Sequence, residues 1–327
     1  MSNVEITVVS GNYDRIQGIK SGDVRIDGYS IRYLNLAPPQ TFQRLFEDRE
    51  FDIAEMSFST YLLTRSRFDF PYTAVPVFLS RVFPHCSIYV RDDRGIERPE
   101  DLRGRTVGTP NFHFTRGLCV RGMLMDEYGI RPQDIRWRSG GIDVPGGLKY
   151  MEIEAPAGVD ILPIGPDEAL GPMLAAGEID AIVTYRDPQV FTDKAPHVAR
   201  LFPDFRRAEK AYFEKTGIFP IMHMIGIRDS LIERDPGLPV KVMDAFERSK
   251  ALALPHLVDL DALAVTLPWL VAEAEETIAL MGKDFWPYGI AKNRKTLAAQ
   301  TRWSFEQGIA DRRFEAEEIF APSVLAT

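Results

Sequence analysis

The sequence predicts an α/β fold of two lobes with a ligand cleft between them, and three observations carry that prediction. Short β-like runs alternate with helical periods from the N-terminus, the pattern of strands joined by crossover helices. Two apolar runs, Pro76 to Val90 (PVFLSRVFPHCSIYV) and Ile218 to Arg228 (IFPIMHMIGIR), read as strands that each hold one histidine, and the first also holds Arg81. Such groups are costly to bury without a partner, so the two strands are expected to share a site. With 327 residues and 45% hydrophobic content, the chain can fill two cores of ordinary size.

The elements follow in order. VEITVVSG reads as the first strand, followed by a turn-rich stretch from Asn12 to Lys20, then the strand YSIRYLNL. In TFQRLFEDREF, Phe42, Leu45 and Phe46 fall on one helical face, and FDIAEM is the next strand. This alternation implies mostly parallel strands. After the Pro76 to Val90 run, a strand ends at Thr109 and Pro110, and NFHFTRGLCVRGMLMDEYGI reads as a helix with Asn111 as N-cap and Gly129 as its stop. A Gly- and Pro-rich loop spans Gly140 to Ile164. Leu170, Met173 and Leu174 then make a helix face, Gly177 ends it, and AIVTY is a buried strand. From Asp229 onward the pattern turns mainly helical, through VKVMDAFERSKALAL, LAVTLPWLVAEAEETIALMG and NRKTLAAQTRWSFEQGIADRRF.

Composition removes several function classes. A formal charge of −8, with the 39 Lys and Arg dispersed along the chain, argues against a nucleic-acid binder. No apolar stretch is long enough to span a bilayer, and MSNVEITVVSG has no secretory signal pattern, so a cytoplasmic location away from membranes is expected. The two cysteines, Cys86 and Cys119, have neither disulfide-framework nor zinc-site spacing. There is no GxSxG elbow, P-loop, GxGxxG or HExxH motif.

Ligands of open α/β sheets sit at the carboxyl ends of strands. Those positions carry Tyr13, Asp14 and Arg15 after the first strand, then Glu55, Ser57 and Ser59, then Asn111 to Arg116, and Arg186 with Asp187 after AIVTY. The set is rich in groups that bind anions.

At these residues the sequence resembles the 4,5-dihydroxyphthalate decarboxylase family, itself similar in fold to the two-lobed periplasmic solute-binding proteins of type II. The resemblance lies in YDRIQGIKSGDVRIDGYSIRYLNL, FDIAEMSFSTYLL, PVFLSRVFPHCSIYVR, DLRGRTVGTP, MLAAGEIDAIVT, TGIFPIMHMIGIRDSL and FWPYGIAKNRKTL, in the expected order over most of the chain. It implies one lobe from residues 1–88 and 221–327, a second from 89–220, and hinge crossings near His85 and Pro220. It also implies cofactor-independent decarboxylation of a hydroxylated aromatic dicarboxylate. The alternative on the same fold is a solute-binding protein that presents a small organic anion to a transporter without catalysis.

The reaction so implied sets the roles. Simple loss of CO₂ would leave an aryl anion that the π system does not stabilise, so the ring carbon must be protonated first. That needs an acid, a base for the phenol and cationic anchors for the carboxylate that stays. His85 and His223 are the candidates for proton transfer, without an assignment of which is acid and which is base. Glu55 either pairs with an arginine or accepts a phenol proton. Arg81 and Arg116 are expected to clamp carboxylate, since guanidinium offers bidentate geometry, with Arg15 as a further clamp and Arg186 as a residue that either clamps or pairs with Asp187. Ser57, Asn111, His113 and Thr115 complete the candidate substrate-binding set, the last three at a helix N-terminus. No metal is assigned, although Glu55, His85 and His223 would make a ligand set if they converged. The expected partner is a small aromatic carboxylate, and homo-oligomerisation is left open.

Overall fold

A computed structural model describes residues 4–147, 151 and 153–327. Two mixed sheets organise the chain. The first has the strand order β2-β1-β3-β11-β4, built from β1 (Val4–Ser10), β2 (Tyr29–Asn35), β3 (Ile53–Ser57), β4 (Tyr72–Arg81) and β11 (Ile221–Arg228). The second has the order β10-β5-β9-β6-β7-β8, from β5 (Ile88–Arg91), β6 (Thr106–Thr109), β7 (Arg136–Ser139), β8 (Ile161–Pro163), β9 (Ala181–Val183) and β10 (Val198–Arg200). The chain passes from the first sheet to the second between Arg81 and Ile88 and returns ahead of Ile221.

Around the sheets lie α1 (Gln17–Ser21), α2 (Pro38–Phe46), α3 (Phe58–Arg67), α4 (Thr115–Tyr128), α5 (Leu170–Ala176), α6 (Gln189–Thr192), α7 (Phe205–Thr216), α8 (Asp229–Arg234), α9 (Leu238–Ala253), α10 (Leu270–Met281) and α11 (Arg294–Glu306). In α2, the face formed by Phe42, Leu45 and Phe46 is buried in the first core, as the helical spacing predicts. Helix α11 serves both cores: Leu297 packs into the first, whereas Ala299 and Trp303 pack into the second against Gly122 of α4.

The expectation of mostly parallel strands holds: β2, β1, β3 and β4 run one way in the first sheet, with only β11 reversed between β3 and β4, and β10, β9, β6, β7 and β8 run one way in the second, with only β5 reversed between β10 and β9. Three sequence expectations are corrected. The Pro76 to Val90 run is not one strand. It breaks after Arg81 because Pro84 lacks a backbone donor, and His85 sits in a short 3₁₀ turn, His85–Ser87, rather than on a strand. The helix foreseen from Asn111 begins at Thr115. Asn111 acts ahead of it, its side-chain oxygen accepting the Phe114 backbone N–H at 2.8 Å, and Gly129 ends the helix at φ 65° as expected. In the second of the three C-terminal helical stretches, Leu263 to Trp269 are irregular and the helix starts at Leu270, just past Pro268. Within the Gly140 to Ile164 loop, residues 148–150 and 152 lie outside the described residues, and its far end forms the short strand β8.

Candidate active site

A cavity of about 290 Å³ opens between elements of the two sheets, lined by Tyr13, Pro38, Pro39, Phe42, Ser57, Ser80, Phe114, Thr115, Arg116, Tyr185, Met222 and His223. That volume lies near the lower end of the range for small-ligand pockets. Its walls are mostly aromatic and apolar, which suits a flat ring.

One side of the cavity is fixed by three neighbouring strands. His223 on β11 stands between Ser57 of β3 and Ser80 of β4, so the three side chains share a face. The β11–β4 register shifts on both sides of His223, an irregularity of the kind that re-aims a side chain beside an active site. The Phe42 ring meets the imidazole edge-on, with centroids 4.9 Å apart.

Behind the imidazole lies Glu55, with no exposed surface. One carboxylate oxygen accepts the Gly11 backbone N–H at 2.8 Å, while the other accepts the Tyr13 hydroxyl at 2.6 Å and faces His223 Nδ1 at 2.6 Å. Burial alone would raise the carboxyl pKa; the hydrogen bonds and charge of His223, with Tyr13 and Gly11, outweigh it and hold Glu55 below the ordinary carboxylate range. Glu55 is therefore an anion, and an anion fixes the tautomer: His223 Nδ1 carries the proton it donates, leaving Nε2 for the cavity. Burial, and then the Glu55 charge, push the Tyr13 phenol far above its ordinary pKa, so Tyr13 remains a donor.

The other side is the start of α4. Thr115 Oγ1 is held 3.0 Å from Ser57 Oγ and accepts the Ser59 backbone N–H at 3.1 Å, so this hydroxyl pins the helix end to β3 and α3. Among the described residues no side chain caps the helix, and its first turn presents N–H groups free of intrahelical partners beside the cavity. Arg116 lines the same wall. Among the described residues its guanidinium has no carboxylate partner within salt-bridge distance; Nη1 lies 3.5 Å from Ser87 Oγ and the buried Nε has no hydrogen bond. Burial lowers the Arg116 pKa, yet a guanidinium of this kind stays charged, so a buried cation faces the cavity in need of an anion.

Of the sequence-predicted residues, the cavity thus gathers His223, Ser57, Thr115 and Arg116, with Glu55 behind His223 and out of contact with the space. The others lie elsewhere. His85 is buried among Phe202 and Tyr212, ring centroids 5.0 and 5.3 Å away, and burial pushes its pKa down to about 4. It is a neutral packing residue, because the turn at Pro84 carries it off the strand face. Glu55, His85 and His223 consequently do not converge on one point, and the sole three-residue cluster with metal-ligand spacing among the described residues is the exposed Asp92, Asp93 and His197.

Arg81 is buried and turned away from the cavity: it donates to the carbonyls of Phe219 at 3.0 Å and Pro287 at 3.2 Å and to Asn293 Oδ1 at 2.6 Å. Burial lowers its pKa to about 9. Its role is to tie the end of β4 to the chain entering β11. Arg15 pairs with Asp14, donates to the Leu79 carbonyl and stacks between Tyr13 and Trp286. Asn111 and His113 border a different cavity, beside Ser139 and Gly140, and the His113 carbonyl accepts the Ser59 hydroxyl. Arg186 pairs with Asp143 at 2.9 Å, while Asp187 pairs with Arg200. Tyr13 and Tyr185 stand at strand ends where a ligand is expected, and that position is the signal that identifies them; Phe42, Phe114 and Met222 have no signal that separates them from core.

These features define a class: a two-lobed α/β protein of the periplasmic-binding-protein type, with an anion-ready cleft. Solved structures agree. The chain is similar to the periplasmic aliphatic sulphonate binding protein SsuA from Escherichia coli, with TM-score 0.56, 12% identity and 100% of both chains covered. A Candida albicans gene product described as having the generic periplasmic binding protein fold gives TM-score 0.52 and 9% identity over 95% of this chain and 92% of that one. A family described as "ABC transporter, phosphonate, periplasmic substrate-binding protein" matches residues 26–143. Among curated proteins, a 4,5-dihydroxyphthalate decarboxylase of Comamonas testosteroni is 38% identical over 325 residues, 99% of this chain and 98% of the relative. Another of the same name, from Pseudomonas putida, is 37% identical over 65% of this chain and 83% of the relative. The chain belongs to the 4,5-dihydroxyphthalate decarboxylase family.

Proposed function

We propose that this protein is a carboxy-lyase that removes one carboxyl group from a hydroxylated aromatic dicarboxylate such as 4,5-dihydroxyphthalate, giving protocatechuate and CO₂. The observation that carries the reading is the His223 imidazole, held by the buried Glu55 carboxylate and opening on an aromatic-walled cavity that Arg116 also lines. A protein that only captured an anion would need Arg116 and the α4 N-terminus, but not a carboxylate–histidine couple.

In this mechanism the carboxylate that stays binds Arg116 and the free N–H groups of α4, a charge-assisted contact that fixes the ring. The ring lies among Phe42, Phe114 and Tyr185, and its hydroxyls meet Ser57 and Ser80. His223, as imidazolium, donates Nδ1–H to Glu55 and delivers the Nε2 proton to the carbon bearing the leaving carboxylate. The hydroxyl para to that carbon feeds electrons into the ring and stabilises the protonated intermediate. The C–C bond then breaks, its electron pair restores aromaticity, and CO₂ departs. Neutral His223 regains a proton from solvent, so one proton is consumed per CO₂ released. The leaving carboxylate sits toward Pro38, Pro39 and Met222, where the apolar surroundings favour neutral CO₂ over an anion. Glu55 contacts no substrate atom and acts through His223, as a positioning residue.

His223 supplies the proton, the para hydroxyl supplies electron density, and C–C cleavage returns its electron pair to the ring, so the mechanism calls for no cofactor. The test is CO₂ release from purified, chelator-treated protein given 4,5-dihydroxyphthalate and a panel of other hydroxylated benzene carboxylates, with calorimetry in parallel. Turnover that survives chelation supports the proposal. Tight binding without CO₂ would transfer the protein to the solute-binding class.

A further inference from the structure

The stretch from Val258 to Trp269, between α9 and α10, has no regular structure, and residues 260–269 are all exposed. Exposed loops of this length are normally polar and rich in turn residues. This one reads LDALAVTLPW, and no charged residue occurs from Ala262 to Ala272. Seven of the thirteen exposed large apolar side chains among the described residues fall here or just before it: Leu252, Val258, Leu260, Leu263, Val265, Leu267 and Trp269, with Leu260 78% and Trp269 72% exposed. Scattered exposed leucines need no explanation, but this clustering does. The segment also returns to the body of the protein, since Ala264 and Val265 border a groove together with Leu252, Ala253 and Leu257. The patch is therefore continuous with the end of α9.

The area identifies what can cover it. With about 100 Å² of apolar surface for an aliphatic side chain and about 200 Å² for tryptophan, the seven residues leave on the order of 450 Å² open. A standard interface buries about 800 Å² on each partner, a little over half of it apolar, so this one segment supplies the whole apolar share of one side. A lipid surface is a poor match. No Lys or Arg occurs from Leu257 to Gly282, whereas Asp259, Asp261, Glu273, Glu275 and Glu276 do, and membrane-seated segments carry the opposite charge. A contact of the patch with its own copy about a two-fold axis buries both at once, with the uncharged stretch at the centre and the carboxylates at the rim.

We propose that residues 252–269 form the self-association surface of this protein and that its occupant is the same segment of a second copy. None of these residues lines the His223 cavity, so the contact is separate from the chemistry. The test is sedimentation equilibrium of the full chain at micromolar concentration, comparing the unmodified protein with Trp269→Ala and with the double variant Leu260→Asp/Trp269→Asp. Expected are a two-chain mass for the unmodified protein, a dissociation constant raised at least tenfold by Trp269→Ala, and a one-chain mass for the double variant with unchanged circular dichroism and a melting temperature that no longer depends on protein concentration. A one-chain mass for the unmodified protein would overturn the proposal, as would a double variant that remains a dimer. Flotation of a monomeric protein with phosphatidylcholine–phosphatidylserine vesicles would overturn it in favour of a membrane.

Discussion

Replacing Glu55 by glutamine changes one atom and, on the geometry described, the charge state that His223 can hold. Three donors converge on the two carboxylate oxygens: the Gly11 N–H on one, Tyr13 and His223 on the other. Glutamine keeps one acceptor oxygen and gains an NH₂. The backbone N–H of Gly11 cannot reverse, so the amide oxygen must face it and the NH₂ must face Tyr13 and His223. The Tyr13 hydroxyl can turn to accept; His223 Nδ1 can accept only as neutral imidazole with its proton on Nε2. An imidazolium needs both nitrogens as donors, so the variant disfavours the acid that the mechanism requires. Positioned general acids contribute about 10²–10⁴ in rate. A kcat loss in that range, about 3–5 kcal/mol in the barrier, is expected for Glu55→Gln. The KM should change by less than about threefold, because Glu55 does not line the cavity. Initial rates of CO₂ release, with a melting curve to certify folding, measure both constants. A folded variant with kcat within about fivefold of the parent would refute the assignment.

Four further outcomes are expected. Arg116→Ala should weaken dicarboxylate binding by about 10- to 150-fold in calorimetry, the loss of one charged hydrogen-bonded contact worth about 1.5–3 kcal/mol; a monocarboxylate lacking the retained group should bind both proteins equally weakly. His85→Ala should lower the melting temperature while turnover per folded molecule stays near parental, since the residue packs against Phe202 and Tyr212 rather than in the cavity. Burial raises the Glu209 carboxyl pKa to about 7, so the folded state holds a proton that the unfolded chain releases, and stability falls as pH rises from about 4.5 through 7. Glu209→Gln should remove that fall, its melting temperature exceeding the parent's at pH about 8 with the gap closing at about pH 4.5. Gly122→Ala would drive a methyl group into the Trp303 ring across the α4–α11 contact, and denaturant titration should give a destabilisation of about 1–3 kcal/mol.

The polar residues inside apolar strands were the legible part of the site. Glu55, Ser57 and His223 stand out in the sequence because their neighbours are buried, and the structure joins them through the pairing of β3 with β11. Thr115 and Arg116 were legible for a different reason: they follow a strand and open a helix, the position where α/β sheets take anions. Arg81 and His85 carry the same local signature as His223 yet serve the fold. What separates them is long-range. The Arg81 guanidinium nitrogens Nη1 and Nη2 donate to Phe219, Pro287 and Asn293, more than a hundred residues away, and His85 leaves the strand at a proline whose effect on direction is not visible in hydrophobic period. Phe42 and Phe114 look like core in sequence because apolar periodicity is the same for a residue facing a core and one facing a ring-shaped ligand. The antiparallel return of β11 was hidden for a related reason: a strand buried on both faces has the same sequence pattern in either direction.

The central claim is that His223 supplies the proton that replaces the carboxyl group. Its most direct test is single turnover of 4,5-dihydroxyphthalate by His223→Asn, with binding followed by calorimetry and CO₂ by trapping. Expected are near-parental affinity, held by Arg116 and the α4 N-terminus, and CO₂ release slowed by at least about 10². Release at the parental rate from the folded variant would contradict it.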